Sequence, residues 1–251
     1  MKESRFDIIG NSYERALVKY PNCRLDHTWL IKNSYLNPSN RVLEISGGTG
    51  FLTKKIAEIV TEGKITVQDI SQTVLDINAA KCKIHNNIQY IIEKDMNFPQ
   101  LPDEEFDVII GLGGFHHIED QVSFAKAIYK KLKSNGVVCL GDFEDNSSMQ
   151  RYFDEIIYCI TATGHQGLFA SVSRFVNLAR FAGFGRVKVA RKKIPFCFAN
   201  EAEIGDFFQL VHDLDQDPAE TYQDIEKYFD IIEHPAGLMV LIDYVYASYQ
   251  K

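Results

Sequence analysis

Short apolar runs alternate along the chain with longer stretches whose apolar residues recur every three or four positions. "RVLEIS" (41–46), "KITVQDI" (64–70), "IQYIIEKD" (88–95) and "FDVIIGL" (106–112) have the length and β-branched character of strands, and "GVVCLGDF" (136–143) makes a fifth. "FLTKKIAEIV" (51–60) puts Phe51, Leu52, Ile56 and Ile59 on one helical face. "SQTVLDINAAKCKI" (71–84) predicts a helix capped by Ser71, and "IEDQVSFAKAIYKKLKSNG" one with an acidic start, a basic last turn and a glycine stop at Gly136. Strands alternating with helices imply a parallel, doubly wound α/β sheet. "FDVIIGL" is apolar on both faces, as central parallel strands are.

Beyond Asp142 the alternation loosens. "SMQRYFDEIIYCITATG" predicts a helix, "HQGLF" a loop, "SVSRFVNLARFAGF" (171–184) a helix and "GRVKVARKKI" (185–194) a strand. Two amphipathic stretches, "NEAEIGDFFQLVHDLD" and "PAETYQDIEKYFDIIE", predict helices inserted before a final apolar strand, "GLMVLIDYVYAS". The inserted segments, about 144–170 and 199–233, are expected to form a helical cap within one domain spanning 41–251.

A formal net charge of -7, with Arg191-Lys192-Lys193 as the densest basic spot, argues against a polynucleotide partner. The five cysteines (Cys23, Cys82, Cys139, Cys159, Cys197) stand far apart, so reduced thiols and no metal site are expected. The charged start leads into no apolar run and no stretch has the length of a membrane span, so the expectation is a cytoplasmic protein without a membrane partner.

The glycine cluster after the first strand carries the chemistry. A dinucleotide fingerprint needs G-x-G-x-x-G/A. Counted from Gly48, the third small position holds Thr53; counted from Ser46, the position that needs glycine holds Phe51. The register that fits is Glu44-x-Ser46-x-Gly48-x-Gly50, with Gly47 inside it. It resembles the first motif of class I S-adenosylmethionine (SAM) methyltransferases, D/E-x-G-x-G-x-G, with serine in place of the first glycine. Three further stretches match in order: "KITVQDIS", "IIEKDMNFP" and "FDVIIGLGGFHHIED". The resemblance covers about residues 41 to 143.

That resemblance implies a Rossmann-like, mostly parallel seven-stranded sheet with an antiparallel last strand and an added helical cap. It implies SAM as cofactor and S-adenosylhomocysteine as product. Asp69, with Ile70 beside it, would meet the ribose hydroxyls; Asp95 and Met96 the adenine; Gly111, Leu112 and Gly113 the methionyl and sulfonium portion. Residues 1–40 would form an N-terminal helical lid, with Tyr13 touching the cofactor.

Methyl transfer needs no covalent nucleophile, but an acceptor that starts protonated needs a base. His116 and His117 stand just past the fourth strand and His165 lies in "TGHQG"; these are the catalytic candidates, and a packing role for one of the first two stays open. Asp142 could orient a base, or cap a helix. Arg24 and Arg174 could hold an acidic acceptor, or stand at the surface.

The aromatic supply of the cap suits an apolar acceptor. The leading reading is methylation of O, N or C on a small metabolite by a monomer or homodimer. The alternatives are a carboxyl methyltransferase on a carrier-bound acyl group and a non-catalytic SAM-binding protein. A base-methylating DNA enzyme would carry D/N-P-P-Y/F where this chain reads Gly111-Leu112-Gly113-Gly114-Phe115.

Overall fold

The computed structural model describes residues 4–161, 164, 165 and 167–251. Five strands run parallel: β1 (Arg41–Ile45), β2 (Lys64–Asp69), β3 (Ile88–Ile92), β4 (Phe106–Leu112) and β5 (Leu132–Phe143). β6 (Arg186–Phe198), β7 (Ile231–His234) and β8 (Gly237–Gln250) complete the sheet. Its order is β3-β2-β1-β4-β5-β8-β6, with β8 antiparallel to both β5 and β6. The seven expected strands and the reversed last strand are therefore present in a mixed α/β sheet. β7 is an eighth strand, a short antiparallel partner of β8.

The chain leaves β1 toward β2 and β3, then returns on the other side of β1 as β4. Ligands bind at such a switch point, beyond the carboxyl ends of the strands. α2 (His27–Ser34), α3 (Phe51–Ala57) and α4 (Gln72–Lys81) place Leu30, Ile56 and Leu75 in the core on one face. α5 (Gln121–Lys131) and α8 (Val172–Ala182) place Phe124, Ile128 and Phe175 on the other. α1 (Arg5–Lys19), α6 (Ser148–Tyr152), a π-helical turn (Phe153–Ile157), α7 (Tyr158–Ile160), α9 (Glu201–His212) and α10 (Pro218–Tyr228) make up the rest.

Two expectations fail locally. The helix predicted to stop at Gly136 ends at Lys131, because Leu132 is already extended and pairs with Phe106. The helix predicted through residue 233 ends at Tyr228. There the β-branched Ile231 and Ile232 pair with Val240 and Met239, and Gly237 turns the hairpin at φ 133°. Ala162 and Thr163, within the helix predicted over "SMQRYFDEIIYCITATG", and Gln166 of "TGHQG" lie outside the described residues. No helix among the described residues is long and apolar enough to cross a membrane.

Candidate active site

The turn after β1 is thin by construction. Ser46 has φ 55°, Gly48 51° and Gly50 89°, all left-handed. A side chain at Gly47 would run into Val67, and one at Gly50 into Asn78, whereas a Cβ at Gly48 would meet nothing within 4 Å. Gly48 thus presents bare backbone to the cavity. Asn78 of α4 latches the turn from behind, donating from Nδ2 to the Gly48 carbonyl at 3.2 Å and to Thr53 Oγ1 at 2.8 Å. Sequence reasoning passed over Asn78; its one signal is an amide at helical spacing from the apolar Val74 and Leu75, with which it is buried.

Ser46 stands where the resemblance calls for glycine, and it takes the left-handed conformation at a strain of about 1–2 kcal/mol. Its side chain also explains Gly114. A Cβ there would run into both Oγ and Cβ of Ser46. Gly114→Ala is expected to destabilise the protein by about 1–3 kcal/mol through overpacking. In a Ser46→Gly background most of that loss should vanish. Urea denaturation of the two single variants and the double variant measures the coupling, and additive losses would disprove the contact.

At the tip of β2, Asp69 is 6% exposed and accepts backbone amides from Gly48 (2.9 Å), Ile70 (2.7 Å) and Ser71 (3.1 Å). Burial raises its pKa and those amides oppose the rise. Glu44 is buried behind the turn with Oε2 unpartnered. Burial pushes its carboxyl up to about 8; Thr53 opposes the shift and the charge of Asp69 adds to it.

Past β4, the 3-10 turn Phe115–His117 brings three histidines together. Asp142 at the end of β5 is fully buried and accepts both the His116 backbone amide (2.9 Å) and His116 Nδ1 (2.7 Å). With Nδ1–H so engaged, His116 Nε2 faces His165 Nε2 at 3.2 Å. Phe169 stacks on His116 and Phe153 on His165 at ring separations of 5.1 and 4.0 Å. Burial drives the His165 pKa far down, helped by the neighbouring His116 and His117, so the ring is neutral. His117 is exposed and meets Phe6 edge-on.

One cavity of about 660 Å³ joins these groups. Its floor is the glycine turn with Glu44, Ser46, Gly47, Gly48, Asp69, Ile70, Asp95, Met96 and Leu112. It is also lined by Phe143, Phe153, Phe196, Phe207, Phe208 and Tyr244 and by the three histidines, of which His116 and His165 pack against Phe153. α1 contributes Phe6 and Tyr13, and α9 contributes Val211 and His212. Gly50 and Gly111 lie behind the wall: Gly50 caps α3, and Gly111 packs against the Ile45 carbonyl.

The arginines divide. Arg174 is bonded to Gln121, away from the cavity. Arg24 lines the cavity, but its charge is taken by the fully buried Asp26, which its Nε and Nη2 meet at 3.1 and 2.5 Å. Tyr13 accepts from Arg24 at 2.6 Å, and Tyr244 donates to Asp26 at 2.9 Å. The resulting neutral network offers an anion little. His212 was not foreseen; burial near Tyr152, Phe153 and Phe208 lowers its pKa to about 3.

Residues 42–136 match the family described as "Methyltransferase domain". A ubiquinone/menaquinone biosynthesis C-methyltransferase, UbiE of Teredinibacter turnerae, is 32% identical over 137 residues, covering 52% of this chain and 55% of the relative. The matched part spans 55 to 66% of the curated relatives' length. Among solved structures, YcgJ of Bacillus subtilis superposes with a TM-score of 0.68 at 14% identity, over 90% of this chain and 97% of that one. Phosphoethanolamine N-methyltransferase 2 of Haemonchus contortus, in complex with S-adenosyl-L-methionine, gives 0.67 at 14%, over 98% and 57%. At these identities the structures attest the fold. With the strand order and the glycine turn at its switch point, these matches make residues 42–136 a methyltransferase domain of the class I S-adenosylmethionine-dependent kind.

Proposed function

We propose that the chain transfers the methyl group of SAM to O, N or C of a small, largely apolar acceptor. The observation that carries this reading is the single cavity lined by the glycine turn, the histidine cluster and a set of aromatic side chains. The bare backbone at Gly48 and the unpartnered oxygen of Glu44 fit the amino-acid end of the cofactor. Asp69 would take the ribose hydroxyls, and Asp95 with Met96 the adenine. Bound there, SAM supplies a methyl group on a sulfonium, an electrophile open to in-line displacement.

The chain's own part is to position the acceptor and exclude water. The phenylalanines that line the cavity accept an apolar or aromatic body, and the histidines face its reacting end. α1 serves as the lid, with Tyr13 over the cofactor, and α6, α9 and the π-turn as the cap. The UbiE relatives are named for quinone biosynthesis; a phenol or quinol ring is accordingly the first acceptor to try. A cytoplasmic setting fits such substrates.

Calorimetry with SAM and with NADH, followed by S-adenosylhomocysteine release over a panel of phenols, quinols and amines, tests the proposal. SAM is expected to bind and NADH not, and at least one acceptor should drive turnover. NADH binding without SAM binding would overturn it.

A further inference from the structure

We propose that His116, His117 and His165 form a site for one divalent transition-metal ion of the zinc type, with a coordination position left open toward the acceptor chamber. The inference rests on reading this cavity as the acceptor site, and it replaces the sequence expectation of no metal. These residues come from two segments 48 positions apart and show no ligand spacing, so only the fold brings them together.

One ring nitrogen from each histidine lies within 4.8 Å of the other two. The His116 and His165 Nε2 atoms stand 3.2 Å apart. Two imidazoles on a tetrahedral ion with bonds of about 2.0–2.1 Å would be separated by about 3.3 Å. His117, exposed at the cavity edge, can close the remaining distance by turning its side chain. The supporting shell is present as well. Asp142 accepts from His116 Nδ1 at 2.7 Å, the carboxylate–histidine arrangement that fixes which nitrogen a metal meets. Phe153 and Phe169 hold the two buried rings by stacking.

Three histidines with an open position make a catalytic rather than a structural arrangement. An acceptor hydroxyl reaching that position would be acidified: its O–H bond breaks, the electron pair stays on oxygen, and the proton leaves to water.

The test uses the full chain, freed of metal with a chelator and titrated with Zn²⁺ by calorimetry and with Co²⁺ by visible absorption. One ion per chain is expected, with the intense visible bands of four- or five-coordinate cobalt. His117→Ala and His165→Ala should each weaken Zn²⁺ binding at least a hundredfold, and Asp142→Asn by about 10–100-fold. His165 is buried, so circular dichroism checks its variant's fold; exposed His117 provides the variant that keeps the test decisive. Absence of one-to-one binding, or binding unchanged in His117→Ala, would overturn the proposal. Titration of SAM into the same wild-type samples separates the two readings. SAM binding without metal leaves the methyltransferase standing and removes the metal; metal without SAM does the reverse.

Discussion

Asp69→Ala is expected to weaken SAM binding by about 10²–10⁴-fold. Two charge-assisted hydrogen bonds to the ribose would go, each worth about 1.5–3 kcal/mol, and each 1.4 kcal/mol is tenfold in affinity. Asp69 also accepts the Gly48 amide at 2.9 Å, so its removal loosens the turn on which the ligand would lie. Asp69→Asn keeps a carbonyl oxygen for one amide but loses the charge, and should fall between wild type and alanine. Calorimetry decides, and an unchanged dissociation constant in Asp69→Ala would refute the placement of the cofactor.

The second large effect is a pH dependence written by Glu44. Its folded-state pKa of about 8 lies above the ordinary 4.5, so the folded protein holds a proton that the unfolded chain gives up. The unfolded state binds fewer protons, and stability must fall as pH rises. The loss begins above about 4.5, is complete near 8, and amounts to at most about 5 kcal/mol at 1.36 kcal/mol per unit. Glu44→Gln carries no such proton. It should flatten the stability profile across that window and be the more stable protein above neutrality, as urea titrations at several pH values would show. A profile of equal slope in both proteins would remove Glu44 as the cause. Under the proposed function, the ammonium group of SAM beside Glu44 would lower that pKa. Binding at neutral pH should then release a proton, measurable by calorimetry in buffers of differing ionisation heat.

The sheet was readable because its evidence is local. β1, β2 and β4 are apolar runs of strand length, and the glycine turn follows β1 directly. The positions of Asp69 and Asp95, at or just past the end of a strand and lining the cavity, follow from the same local pattern. The failures are tertiary. Nothing around Leu132 announces that Phe106 will capture it as strand, and β7 exists only because β8 supplies a partner. Arg24 read as a free cation because Asp26, Tyr13 and Tyr244 meet it only in the folded protein. His212 sits on an amphipathic helix where a polar residue suggests solvent, yet it lines the cavity. Distances among the three histidines likewise exist only after folding.

α1 is fastened beside the ligand floor. Ser71, two residues past Asp69, donates to Asp7 at 2.5 Å; Glu14 receives Lys81 at 2.7 Å, and Ser12 donates to the Leu210 carbonyl at 2.8 Å. Hydrogen bonding from Ser71 holds the Asp7 carboxyl down to about 2, so acidification loosens this fastening only as pH falls below the ordinary carboxylate range toward that value. Under the proposed function, with α1 as the lid, traffic into and out of the cavity would be tied to undocking of the first helix. Exchange of spent for fresh cofactor would then be timed by that motion and not by diffusional encounter.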